Sequence, residues 1–305
     1  MKPVTNIFIA GGSGTIGIPL VRAMTAAGHQ VTAMTRSMNK HDELKRMGAS
    51  VVVADALNRD AIVAAVDAAK PTHVVHQLTA LPKNGPRRPT DVEATNRLRI
   101  EGTRYLLEAA IHAGARRFLV GSYAVLAPRG STTPQTGNAA AAVKSMEQQV
   151  LEATGHGFIE GVILRYGMFY GLEAPSTVAM IDMVRKHRLP VLRNDISQLP
   201  IIHIEDAVSA TLRALDIASA GSVYDIVDDQ PVRFSEIVEA IAEFTNSGKP
   251  FKVPGWLLKL VSPYLARMTS TRLPLSNAKA KTELGWRPKY ATMQDGLAQM
   301  FHKSA

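Results

Sequence analysis

Residues 6–17 read NIFIAGGSGTIG, and the reading of the whole chain starts there. The apolar run Asn6–Ala10 predicts a strand. Ile18–Ala27, with Gly28 behind it as a C-cap, predicts a helix. The turn between them holds two overlapping frames, Gly12-x-Gly14-x-x-Gly17 and Gly11-x-x-Gly14-x-x-Gly17. Glycine permits the tight turn and lets the backbone approach a diphosphate, and Gly17 lets helix and strand pack closely. Gly11, Ser13, Gly14, Thr15 and Ile16 lead into a helix N-terminus, where free N–H groups and the positive end of the dipole favour an anion. A glycine turn alone is a weak signal. A strand, turn and helix in that order, at the head of further such units, predicts dinucleotide binding.

Outward from that unit, β-branched runs alternate with helical patterns. Val31–Thr35, Val51–Ala54, His73–His76, Phe118–Val120 and Gly161–Arg165 read as strands. Leu44–Met47, Ala61–Ala69, Glu93–Ala113 and Lys144–Ala153 read as helices. The alternation predicts an α/β fold, a doubly wound parallel sheet with helices on both faces. Strands that are apolar throughout suit burial on both sides. After about residue 171, Pro and Gly become frequent and the alternation breaks. Met180–His187, Ser235–Phe244, Trp256–Ala266 and Ala278–Leu284 read as helices there, with short strands at Ile201–Ile204 and Val223–Val227. The expected organisation is a dinucleotide-binding domain over residues 1–171, to which parts of 201–228 return, and a smaller α/β substrate-binding cap over most of 172–305.

The two nicotinamide dinucleotides are told apart about 20 residues beyond the glycine turn, at the end of the second strand. An acidic residue there would accept from a ribose 2′-hydroxyl. This chain has Thr35-Arg36-Ser37 instead, and a guanidinium beside hydroxyls suits a 2′-phosphate. The expected cofactor is therefore NADP. Asp55, followed by Ala56 and Leu57 after the third strand, is placed to meet the adenine amine; it could equally cap the next helix.

Composition narrows the class. Of 305 residues, 46% are hydrophobic and 20% charged, the balance of a globular chain with a core and not of a disordered or fibrous one. There is no cysteine, which excludes disulfides, thiolate metal sites and cysteine nucleophiles and fits a reducing, cytoplasmic setting. The N-terminus has no signal-peptide pattern, and no apolar run is long enough for a membrane span. Net charge is +9, concentrated in the N-terminal half. The basic residues are scattered and not interleaved with aromatics, so the excess points to an anionic small ligand and not to nucleic acid. The nine histidines show no paired metal spacing, so no metal is expected.

With those residues in view, the chain resembles the extended short-chain dehydrogenase/reductase family, nearly end to end. The likeness rests on IFIAGGSGTIG, GHQVTAMTRS, VVVADALN, HVVHQLTAL, TNRLRIEGTRYLLEAA, RRFLVGSYAVL, VILRYGMFYG, IIHIEDAV, GSVYDIVDDQ and SNAKAKTELGWRPKY. It implies a doubly wound sheet binding NAD(P), a C-terminal cap and hydride-transfer chemistry on a small molecule, with dimerisation through the Glu93–Ala113 helix common. The family's catalytic set is a Ser, a Tyr-x-x-x-Lys pair and an Asn. Ser122 matches the serine, Lys144 the lysine, which also meets the nicotinamide ribose, and Asn96 the asparagine beside the cofactor. Gln77, Leu78 and Thr79 are expected to line the ribose, and Tyr166 to form part of the cofactor wall.

The tyrosine is missing. Four residues before Lys144 stands Ala140, and no tyrosine lies between Tyr123 and Tyr166. Hydride addition to a carbonyl builds negative charge on oxygen and calls for a proton donor; a methyl group is none. The expectation is an NADP(H)-dependent oxidoreductase acting on a carbonyl or alcohol without the usual acid. The alternatives are a nucleotide-sugar epimerase or dehydratase, or a non-catalytic NADP-binding sensor. His76 and Tyr123 are weaker substitute donors, each read first as a packing residue. His203 and Asp206 are read as bracing a helix start, and the basic cluster from Arg185 to Arg193 as a solvated face. Trp256–Val261 is read as a cap helix, and Pro82–Asp91 as a lid or surface loop.

Overall fold

A computed structural model of the chain describes residues 4–82, 86, 88–127, 137–256 and 270–302. The strands are β1 (Asn6–Ala10), β2 (Gln30–Thr35), β3 (Ser50–Val53), β4 (His73–His76), β5 (Arg117–Tyr123), β6 (Glu160–Tyr166), β7 (Met168–Tyr170), β8 (Val191–Leu192), β9 (Ile201–His203), β10 (Val223–Ile226) and β11 (Lys252–Val253). Seven of them form one sheet in the order β10-β6-β5-β4-β1-β2-β3, with every pairing parallel. The doubly wound α/β expectation holds.

Successive residues of a strand face opposite sides of the sheet, and β1 shows why its run is apolar throughout. Ile7 and Ile9 enter a core with Leu20, Val21 and Met24 of helix α1 (Gly17–Ala26) and Ala207 and Val208 of α8 (Ile204–Ile217). Phe8 and Ala10 enter a second core with Ile62 and Val66 of α3 (Arg59–Ala69) and Leu106 of α5 (Thr103–His112). The chain reverses its winding between β1 and β4, so a crevice opens above their C-terminal ends, the usual ligand position in such sheets.

The C-terminal part builds a third apolar cluster. Ile181 and Val184 of α7 (Pro175–Arg185) meet Phe234, Val238 and Ile241 of α9 (Phe234–Phe244) and Met293, Leu297 and Met300 of the helix Met293–His302. Two short parallel ribbons, β7 with β9 and β8 with β11, lie outside the main sheet. α8 is held at both ends. Arg117, buried, donates to the carbonyls of Ala214 and Leu215 in its last turn and of Ala218 just past it. At its start, Asp206 accepts from the amides of Lys289 and Tyr290, and the Glu205 amide donates to Nδ1 of His203. The two residues brace the fold, as expected.

One helix differs from expectation. Glu93–Ala113 is helical without a break as far as His112 but not uniformly α: α4 (Glu93–Arg97) runs into α5 through a π turn, Leu98–Gly102. Widening a helix frees a carbonyl from its usual donor. Here the Ile100 carbonyl accepts from Nε2 of Gln149 on α6 (Asn138–Gly155). Of the stretch Trp256–Ala266, only Trp256 lies within the described residues, where it is exposed. Residues 83–85 and 87 of the expected loop lie outside them as well. Among the described residues no helix is long and apolar enough to cross a membrane.

Candidate functional site

The glycine turn sits at the crevice. Gly11 has φ +88, in the left-handed region that favours glycine. Its carbonyl accepts from the Gly14 amide at 3.0 Å, and Ile18 N–H donates to the Gly14 carbonyl at 3.1 Å. The amides between them lie before the first intrahelical bond of α1, where N–H groups have no acceptor within the helix. A Cβ on Gly11 would come within 2.6 Å of the Gln77 carbonyl, and one on Gly17 would run into the Gly11 carbonyl oxygen. Side chains would fill this cradle; their absence leaves the amides open to a diphosphate.

The end of β2 is tied to the turn. Oγ of Ser13 and Oγ1 of Thr35 lie 2.7 Å apart, and the Ser37 amide donates to the same Thr35 oxygen at 3.1 Å. Arg36, between them, is exposed. Oδ1 of Asp55 accepts from the Leu57 amide at 3.0 Å. It does not cap α3; Asn58 does, accepting from the Ala61 amide. Ala56 is buried and Leu57 half-buried.

Beyond β4, the Gln77 amide donates to the Ala10 carbonyl. Leu78 is buried and Thr79 exposed. His76 is fully buried. The Leu78 amide donates to its Nδ1 at 3.2 Å, so Nε2 carries the proton and donates to Thr103 Oγ1 at 2.8 Å. Burial, with the nearby Arg99 cation, pushes its pKa down to about 4. A neutral imidazole with both nitrogens engaged is no acid for a substrate.

Tyr166, expected in the cofactor wall, is packed into the core beneath Gln77. It is 3% exposed. Thr211 gives its own proton to the Ala207 carbonyl, so the Tyr166 hydroxyl donates to Thr211 Oγ1 at 2.7 Å and accepts from Nε2 of Gln77 at 3.2 Å. Burial raises its pKa to about 12. Its role is to hold the Gln77 side chain from behind. Gly121 makes that possible, since a Cβ there would fall 2.8 Å from the Tyr166 ring and inside the Gln77 amide.

Ser122 and Lys144 sit in different surroundings, one buried and one exposed. Ser122 Oγ donates to Oε1 of Glu147 at 2.6 Å. Arg165 clamps the same carboxylate in two places, Nε to Oε1 at 2.9 Å and Nη2 to Oε2 at 2.6 Å. Glu147 is almost wholly buried. The buried side of α6 carries Ala140, Val143, Glu147 and Val150. Lys144 lies one position beyond it, exposed, beside a surface hollow lined by Ala141, Ser145, Gln148 and Glu152. On the helix Lys144 stands four residues after Ala140 and three before Glu147, the spacings that share one face. Asn96 is buried, and among the described residues its Oδ1 has no partner. Among the described residues no group of acidic and histidine side chains could hold a metal ion.

Sequence reasoning missed the Glu147–Arg165 clamp and Arg99. A charged residue near the end of a buried strand, as in Ile163-Leu164-Arg165, was the available signal, because a buried charge needs a partner. Arg99 stands one turn after Asn96, on the same side of the helix.

A family model described as NAD dependent epimerase/dehydratase matches residues 7–227. A 3-diazoavenalumate denitrifying reductase from a Streptomyces species is 34% identical over 96% of this chain and 99% of its own. A ceramide reductase from Caulobacter vibrioides is 27% identical over 97% and 90%. Among solved structures, the Thermus thermophilus UDP-glucose 4-epimerase in complex with NAD superposes with a TM-score of 0.78 at 22% identity, covering 97% of each chain. The glycine cradle, the parallel sheet and these likenesses agree: the chain belongs to the NAD dependent epimerase/dehydratase family, as an NAD(P)-dependent oxidoreductase.

Proposed function

We propose that this protein is an NADPH-dependent reductase whose acceptor is reduced without a protein acid, and that an arenediazonium is the acceptor class that fits best. The observation that carries this is the state of the hydride-acceptor pocket. Ala140 replaces a phenol, the Ser122 proton is held by Glu147, and His76 and Tyr166 are fully engaged. A ketone reduced there would leave an oxyanion that needs a proton and a hydrogen-bond donor. When bound, the reduced nicotinamide supplies a hydride, and a diazonium plus that hydride gives the arene and dinitrogen with no proton consumed. The name of the Streptomyces relative describes a reduction that removes nitrogen from a diazo compound, which supports the same reading.

This chain's residues would act by placement. The amides from Ser13 to Ile16 seat the diphosphate, Asp55 the adenine, and Gln77 to Thr79 the ribose side. Glu147 and Arg165 keep Ser122 fixed. The Asn96 oxygen offers an acceptor to a ribose hydroxyl. A small-molecule carbonyl, protonated by water, is the second reading, favoured by the reductases among the relatives.

The test uses NADPH deuterated at C4 with benzenediazonium. Deuterium is expected on the ring carbon that carried nitrogen, with one dinitrogen released per NADPH oxidised and a kcat that is flat between pH 6 and 8. Turnover of a carbonyl panel with no enzyme-dependent dinitrogen release would overturn the diazonium reading.

Cofactor choice is tested separately. Arg36→Asp is expected to weaken NADPH about 10- to 100-fold, the value of one or two charge-assisted bonds, and to leave NADH within about twofold. Equal loss of both dinucleotides in a binding titration would remove the 2′-phosphate role.

A further inference from the structure

Arg99 is 7% exposed. Among the described residues, no carbonyl, hydroxyl or carboxylate bonds its guanidinium. A buried arginine is ordinarily paired, because an unpaired charge away from water is costly. The fold places it at the ligand side of the sheet. The chain leaves the C-terminal end of β4, forms α4, the π turn and α5, and returns to the start of β5, so the first turns of that segment stand over the C-terminal edge. The bond from His76, the last residue of β4, to Thr103 fixes the turn there. Burial holds the Arg99 pKa below the usual guanidinium value, with Tyr123 at the end of β5 opposing in part, and the Arg99 charge adds to burial in lowering that of His76.

A second unmet group lies one helical turn away. Oδ1 of Asn96 is buried without a donor. The two needs are different. The Asn96 oxygen requires a donor, which a ribose hydroxyl supplies. The Arg99 guanidinium requires an anion. The dinucleotide's diphosphate belongs at the glycine turn after β1, one to two strand spacings away, about 5–10 Å, and a 2′-phosphate belongs beside Arg36 on the far side of β1. Neither falls to Arg99.

We infer that Arg99 is the substrate anchor: it binds a carboxylate carried by the molecule that is reduced, through the paired N–H donors of its planar fork. This rests on the hydride-transfer reading above and adds the charge of the substrate to it. A desolvated guanidinium and a carboxylate form a bidentate pair that fixes orientation as well as position. Such a pair would turn one end of an aromatic acid toward the β4–β5 edge and leave its other end over the nicotinamide side.

The experiment uses the full chain saturated with NADP+, and titrates 4-hydroxycinnamate against its methyl ester by calorimetry. The wild type is expected to bind the acid about 10- to 100-fold more tightly than the ester. Arg99→Met is expected to bind the two alike, with NADPH affinity within about twofold of wild type. Arg99→Lys keeps the charge without the fork and should fall between. The melting temperature of ligand-free Arg99→Met should equal or exceed that of wild type, because an unpaired buried cation has been removed. A fall of several degrees would make Arg99 structural. Loss of NADPH binding in Arg99→Met would give the guanidinium to the cofactor. Equal affinity of acid and ester in wild type, or a preference that survives in Arg99→Met, would also overturn the assignment. A carboxylate preference in a protein that turns over neither diazonium nor carbonyl would leave the anchor standing and remove the reductase reading.

Discussion

Gly17→Ala is expected to abolish dinucleotide binding. The new methyl would run into the Gly11 carbonyl oxygen and lie 2.8 Å from the Gly12 carbonyl carbon, well inside contact distance for backbone atoms that no rotamer change can move. The turn would have to shift. Gly12 is pinned on its other side, where its amide donates to the Met34 carbonyl and a Cβ would meet Ala33 at 2.9 Å. The displacement therefore goes into the amides that face the diphosphate. Losing two bonds to a charged ligand, each about 1.5–3 kcal/mol, raises Kd about 10²–10⁴-fold. Gly14→Ala is a graded comparison, because its Cβ would approach the Gly11 oxygen only to 3.2 Å; its loss should be smaller. Fluorescence titration with NADPH measures both. A Gly17→Ala protein that binds NADPH within threefold of wild type would mean that the cradle is not the diphosphate seat.

The strands were legible because burial on both faces forces continuous apolar runs, and Asn6–Ala10, Val31–Thr35 and His73–His76 leave little room for another reading. The glycine turn was legible because only a residue without Cβ fits there. The face of α6 was not. Its first turns, Asn138 to Lys144, are mostly alanine, and alanine is accepted on either side of a helix. With no contrast between apolar and polar positions, nothing in the sequence sets the rotation. Packing decides it: Val143 and Glu147 are buried and Lys144 is exposed. The π turn between α4 and α5 was hidden for a related reason. The π turn has a glycine only at its last position, Gly102, and its Ile100 carbonyl is met from outside by Gln149. Ser122 was found by its place after a strand, but its partner sits 25 residues on, and only the fold brings the two together.

Glu147→Ala should therefore be among the most destabilising substitutions in the chain, although no family motif singles it out for catalysis. Its carboxylate accepts from Ser122 and from two nitrogens of Arg165, and its side chain is 2% exposed against 15% for Arg165. Removing one member of a buried pair leaves the other uncompensated, at a cost of about 3–5 kcal/mol. In a chain of this size that corresponds to a fall in melting temperature of about 6–10 °C. Glu147→Gln should recover little, since its amide nitrogen would face the guanidinium donor to donor. Replacing both ends with apolar groups of similar volume, Glu147→Leu with Arg165→Met, should recover most of the loss, because neither charge then lacks a partner. Thermal unfolding of the three variants decides the matter. A single variant within 2 °C of wild type would show that the pair contributes nothing net. A double variant no better than the single would place the cost in packing and not in the unpaired guanidinium. Reductase activity in the double variant is a further measure, because Ser122 then loses its acceptor. If Ser122 serves catalysis only as a fixed wall, turnover should fall modestly; if its freed hydroxyl can donate to a substrate oxygen, carbonyl reduction should rise where diazonium reduction does not.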